Sequence, residues 1–125
     1  MIEGESVRYY QQLRVWQLAM DIAEAIYRVT REFPKHELYG LGGQMQRAAV
    51  SVPSNIAEGH ARESTKEFLR HLSIAMGSRA EMETQLILSH RLDYCPAIEQ
   101  TILGTKINDL GKMIGGLQRS LKSKL

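Results

Sequence analysis

The apolar positions of this 125-residue chain recur at spacings of three and four, the period of a single helix face. From Val15 to Thr30, Trp16, Met20, Ala23 and Tyr27 follow those steps while Asp21, Glu24 and Arg28 fall on another side, which predicts an amphipathic helix. Phe33-Pro34 ends it near residue 32, because proline disfavours helical geometry in the residue before it. A second helix carries Leu41, Met45, Ala48 and Val52, with Ala49 and Ile56 alongside, and runs to Gly59 as a left-handed cap. Ser64-Thr65-Lys66-Glu67 reads as a capping box that opens a third helix through Phe68, Leu72, Ala75, Met82 and Leu86. That helix fades near Leu92, and Pro96 suits the first turn of the next. The fourth places Leu103, Ile107, Leu110, Ile114, Leu117 and Leu121 on a sustained heptad seam. No window alternates like a strand between hairpin turns, and the connections are short. The expected fold is an all-α, antiparallel up-down-up-down four-helix bundle over residues 13–125, with residues 1–12 as a flexible N-terminal tail.

Polar residues interrupt two of these faces. In "RAAVSVPSNIAEGHAR", residues 47–62, Pro53 stands inside helix two, where it costs ~3 kcal/mol unless the helix kinks. A kink at Pro53 is expected, with Ser51, Ser54 and Asn55 bonding to the freed backbone groups and Asn55 largely buried. The alternative makes Ser51, Asn55 and Glu58 a polar ligand pocket. Arg79 lies on the Phe68–Leu86 seam with Glu83 one turn later. An interior charge needs a partner, so the expectation is a register-fixing ion pair that involves Arg47, Glu81 or Glu83. An acid–base site at Arg79 and Glu83 is the other reading, though no recognisable nucleophile stands near.

Composition narrows the chemistry. Cys95 is the only cysteine, so there is no intrachain disulfide or thiolate cage. The start lacks a basic segment followed by an apolar one, and no apolar run is long enough for a bilayer, so a cytoplasmic protein with no membrane partner is expected. A net charge of +2, from 16 basic and 14 acidic residues, does not by itself imply a polyanionic partner. There is no Glu-x-x-His motif, and Glu67 and His71, four apart, read as a surface pair. Phosphate-loop and serine-elbow patterns are absent as well. The chain is therefore expected to be no enzyme and to hold no cofactor or metal.

Two further patterns remain. Gly104, Gly111 and Gly115 line up beside the leucine seam of helix four, although each weakens a helix by about 1 kcal/mol relative to alanine. Close approach of another helix accounts for them, either within the bundle or from another protomer, the second being favoured. Basic residues form two groups: Arg62, Lys66 and Arg70, interrupted by Glu63 and Glu67, and Lys112, Arg119, Lys122 and Lys124, with no acid after Asp109. Cations near a helix C-terminus complement its dipole without any ligand. Repeated around an oligomer, the same groups become a nucleic-acid-binding surface.

Three stretches resemble a known family: "LRVWQLAMDIAEAIY" at 13–27, "FPKHELYGLGGQMQRAAVSVPSNIAEGHAR" at 33–62 and "FLRHLSIAMGSRAEMETQLILSHRLDY" at 68–94. The runs FP-x-x-E-x-YGL, SxPSNIAEG and IAxGSxxExExQL occur in the order seen in the four-helix bundle family first noticed as reading frames within intervening sequences of bacterial 23S rRNA genes. Gln46 departs from the pattern, since relatives often carry a second arginine before Arg47, and the helix-four region matches in pattern only. The resemblance implies a left-handed bundle assembled as a ring-like homopentamer. A related branch supplies accessory subunits of diversity-generating retroelements, in which a basic pentameric ring engages a reverse transcriptase and nucleic acid. The resulting expectation is a homo-oligomeric scaffold that binds RNA or DNA; the alternative is a protein–protein adaptor with no nucleic-acid role.

Overall fold

A computed structural model of the chain describes residues 9–125. Among them are four α-helices and no strand: α1, Arg14–Arg31; α2, Leu41–Ala61; α3, Thr65–Arg91; and α4, Ala97–Lys122. The helices pack as a closed circuit, α1 on α2, α2 on α3, α3 on α4 and α4 on α1. Their inward faces supply one core, with Ile22, Ile26, Met45, Ile56, Leu72, Leu86, Ile107 and Ile114 among its fully buried side chains. Residues 1–8 of the expected flexible tail lie outside the described residues. The rest of it is built into the fold: Tyr10–Gln12 form a 3-10 turn, the Tyr10 ring stands edge-on to Trp16 at 5.4 Å, and Gln17 donates to the Gln11 carbonyl.

Helix α1 corrects its predicted face. The buried residues are Val15, Ala19, Ile22, Ala23, Ile26 and Thr30, whereas Met20 and Tyr27 are exposed and Trp16 is half-buried. Two apolar stripes run along this helix, and the core takes the one made of smaller and β-branched residues. In α2 the predicted positions Met45, Ala48, Ala49, Val52 and Ile56 are all buried, and the helix continues through Pro53. Gly59 is no cap, because α2 runs on to Ala61 and no described glycine has a positive φ. It is small for another reason: a Cβ there would stand 2.6 Å from the His71 Cβ and 3.1 Å from the Phe68 ring. The turn that follows instead uses Glu63 at φ 54°.

Half of the predicted capping box forms. The Ser64 hydroxyl accepts from the Glu67 amide at 3.3 Å, but the Glu67 carboxylate turns to Arg70 at 3.0 Å instead of reaching back. Pro96 is the residue before α4 rather than part of its first turn. Between α1 and α2, Glu37 explains part of the FPKHELYGL run. One carboxylate oxygen accepts from the Leu41 amide at 3.1 Å, where α2 starts, and the other accepts from the Tyr94 hydroxyl at 3.0 Å, beyond the end of α3. Phe33 packs on the same tyrosine ring at 5.3 Å. No helix among the described residues is long and apolar enough to cross a membrane.

Candidate polar seam and basic surface

The α2–α3 contact carries a continuous polar seam inside an otherwise apolar interface. Asn55 is its middle: its Nδ2 donates to the Ser51 carbonyl at 2.9 Å and to the Ser51 Oγ at 3.2 Å, while its Oδ1 faces His71 Nδ1 at 3.0 Å. The Ser51 hydroxyl meets the Ser78 hydroxyl at 2.8 Å. Proton directions follow from the donor inventory. Arg70 can only donate, so at 3.1 Å it makes His71 Nε2 an acceptor and leaves the ring proton on Nδ1, aimed at Asn55. Because Asn55 donates to Ser51, the Ser51 hydroxyl proton is free to bond Ser78. The chain Ser78–Ser51–Asn55–His71–Arg70 is then satisfied at every link.

Several expectations change here. Asn55 is half-buried rather than largely buried, and the carbonyl it reaches is that of Ser51, not the Ala49 carbonyl opposite the proline. Ser51 bonds across to α3, and Ser54 is exposed. His71 is no surface residue: it is 3% exposed. The signal that points to its burial is spacing, three residues after Phe68 and four before Ala75 on the same seam, against the competing surface pairing with Glu67. Missed with it were Ser78, which meets Ser51, and Gln85, which is buried with an unpartnered Oε1.

At the open end of this seam the charges pair. Glu58 accepts from Arg62 at 2.9 Å, and one of its oxygens lies 3.9 Å from His71 Nδ1. The Arg62 hydrogen bond, then the nearby His71, hold the Glu58 carboxyl below its ordinary range. The bond from Arg70 does the same for Glu67. Of the first predicted basic group, Arg62 and Arg70 are thus tied to carboxylates, and Lys66 is exposed beside them. The second group, Lys112, Arg119, Lys122 and Lys124, is exposed along the last turns of α4 and beyond. Lys112, Arg119 and Lys122, separated by seven and three residues, share one face of that helix.

Arg79 takes Glu83 as its partner, Nη1 to Oε2 at 3.5 Å, and Nη1 also donates to the Ile107 carbonyl at 3.4 Å, while its Nε is buried without a partner. Arg47 is exposed and forms no ion pair with them. The guanidinium crosses α4 at Gly111, where a Cβ would come within 2.8 Å of the Arg79 Nε. Gly104 lies opposite Leu86 and Gly115 opposite Met76. The glycine line thus faces α3 of its own chain, the alternative not favoured from the sequence. Among the described residues, no cluster of three or more His, Cys, Asp or Glu side chains is placed to hold a metal ion. Burial, with Glu99 nearby, pushes the Cys95 thiol up, away from a reactive thiolate.

Residues 11–116 match the family model of the 23S rRNA-intervening sequence protein. The chain belongs to that family. The match takes in the α2–α3 polar seam, Arg79 and the glycine line, and ends before Arg119, Lys122 and Lys124, so the basic C-terminal turns lie outside it. No curated protein matches the chain. In this member of the intervening-sequence family the SxPSNIAEG run holds two helices together, since Ser51 and Asn55 join α2 to α3 through Ser78 and His71.

Proposed function

We propose that the chain is a non-catalytic, cytoplasmic scaffold protein that assembles with copies of itself, five by family likeness, and holds structured RNA or DNA on a repeated basic end. The bundle would be antiparallel, up-down-up-down and left-handed, with α2 bent at Pro53. Contact pairs support that arrangement: Ser51 with Ser78, Asn55 with His71 and Gly59 with Phe68 between α2 and α3, and Leu86 with Gly104 and Met76 with Gly115 between α3 and α4. In each set one number rises as the other falls.

The observation that carries the reading is where this places the cations. The start of α3, with Lys66 and Arg70, and the end of α4, with Arg119, Lys122 and Lys124, come to the same end of the bundle. Arg62 at the end of α2 joins them, and one groove there is lined by Leu13, Arg14, Gly116 and Ser120. A single copy would hold a polyanion weakly, but several copies touching one strand release several counterions together. The family's name ties it to 23S rRNA intervening sequences, and the resemblance to the retroelement branch adds a reverse transcriptase as a partner of the assembled ring. Titrating labelled structured RNA with the parent and with Arg119→Ala/Lys122→Ala/Lys124→Ala tests the reading. Weaker binding by the variant supports it, and equal binding overturns the assignment of those residues.

One observation favours the adaptor alternative. Arg62 and Arg70 already face Glu58 and Glu67, which removes much of the first basic group from service to a polyanion. Association with a protein partner that is indifferent to salt, without RNA binding, would mark that case.

A further inference from the structure

The apolar stripe that α1 does not bury opens onto a groove between α1 and α2. Trp16, Met20 and Tyr27 line one wall and Val50 and Pro53 the other, around an open volume of about 520 Å³. Tyr27 and Val50 are each 42% exposed. A second apolar feature lies elsewhere, on the first turns of α4, where Ile98 and Ile102, one turn apart, are 72% and 54% exposed. A groove and a ridge on different faces of one molecule form a heterologous pair, the kind that generates rings when its rotation closes.

The charges around the two features match in register. Glu24 and Arg31 stand at the groove, seven residues apart on α1. Glu99 and Lys106 stand along one side of the isoleucines, also seven apart on α4, and both are exposed. Seven residues of helix rise about 10.5 Å, so the two pairs have equal spans. Laid in opposite senses, α4 of one copy sets Glu99 against Arg31 and Lys106 against Glu24 while Ile98 and Ile102 enter the groove. The Glu24–Arg28 pair already present is exposed on both partners and weak, so Glu24 is available to exchange it.

We infer that the α1–α2 groove is the receptor for a second copy of this chain, occupied by the Ile98–Ile102 ridge of that copy, with Glu99–Arg31 and Lys106–Glu24 setting the register. This rests on the homo-oligomer reading above and names the contact that builds it. It moves the assembly surface from the glycine line, which α3 and Arg79 cover, to two faces that nothing within the described chain covers.

The test combines charge reversal with cross-linking, each on the full chain and with circular dichroism to confirm helix content. Arg31→Glu and Glu99→Arg should each weaken self-association about tenfold or more, because like charges then oppose one another. The double variant should recover most of the loss. Protein carrying Val50→Cys, mixed with protein carrying Ile102→Cys, should form a disulfide-linked pair under mild oxidation; neither alone should do so, since Cys95 is buried. A parent that is monomeric at micromolar concentration overturns both the oligomer reading and this contact. A parent that self-associates, with no rescue by the double variant and no mixed cross-link, overturns the contact alone and leaves the oligomer reading standing.

Discussion

His71 and Gly59 make one joint between α2 and α3. The ring fills the space that a side chain at 59 would need, and its Nδ1 proton goes to Asn55. Gly59→Ala sets a Cβ against an atom fixed to the α3 backbone, so the helices must separate; we expect a loss of about 1–3 kcal/mol in denaturant unfolding. Asn55→Leu adds apolar surface yet strands the buried His71 nitrogen, which should cost ~1–3 kcal/mol. A variant as stable as the parent would dismiss that role. Arg79 and Gly111 behave as a pair as well. In an Arg79→Ala background, Gly111→Ala should stabilise by about 1 kcal/mol, the ordinary gain of alanine over glycine in a helix. In the parent the gain should be smaller or reversed, because the new methyl group displaces the guanidinium, and equal effects in the two backgrounds would contradict the contact.

At the level of helices, periodicity is enough to find the heptad seam of α4 and the inner face of α2, because the buried residues there keep three- and four-residue steps, and the Ser64 cap marks the start of α3. In α1 there are two stripes, and periodicity alone does not rank Trp16, Met20 and Tyr27 below Val15, Ala19, Ile22 and Ile26. Size favours the larger residues for the core, yet they line the outer groove instead. The polar joint is half legible: the clustering around Pro53 points to Asn55, but its partner His71 reads as a surface residue, since histidine and glutamate four apart also describe an exposed pair. Glu37 escapes notice because its two partners, the Leu41 amide and Tyr94, are brought together only by the fold. Its bonds to the Leu41 amide and to Tyr94 hold its carboxyl below the ordinary range, and the hydrogen bond to Glu37, then burial, hold the Tyr94 hydroxyl above its usual one. A depressed carboxylate stabilises the fold above its unfolded-state value and loses that contribution as pH falls through the lower folded value. A raised phenol contributes below its unfolded-state value and loses it as pH rises through the higher folded one. The parent should therefore lose Tm relative to Glu37→Gln/Tyr94→Phe at both extremes. Parallel Tm–pH curves for the two proteins would show that this link contributes nothing.

On the scale of the molecule, the bundle leaves an apolar groove and ridge after its core is formed, and the antiparallel arrangement proposed above would add an end where Arg62 meets basic residues of α3 and α4. In the scaffold reading proposed above, assembly through the first would multiply the second. The net charge of +2 says little about this, because the acids are spread while Lys112, Arg119, Lys122 and Lys124 follow the last of them. Each cation that meets a phosphate adds close to one unit to the slope of log affinity against log salt on a duplex, and somewhat less on a single strand. The most direct test of the scaffold reading is that slope, measured for the assembled parent with a labelled structured RNA from ~50 to ~200 mM salt. We predict binding at the low end that falls steeply with salt, and a shallower slope for Arg119→Ala/Lys122→Ala/Lys124→Ala at unchanged oligomer mass; no binding at ~50 mM, or binding indifferent to salt, would contradict the account.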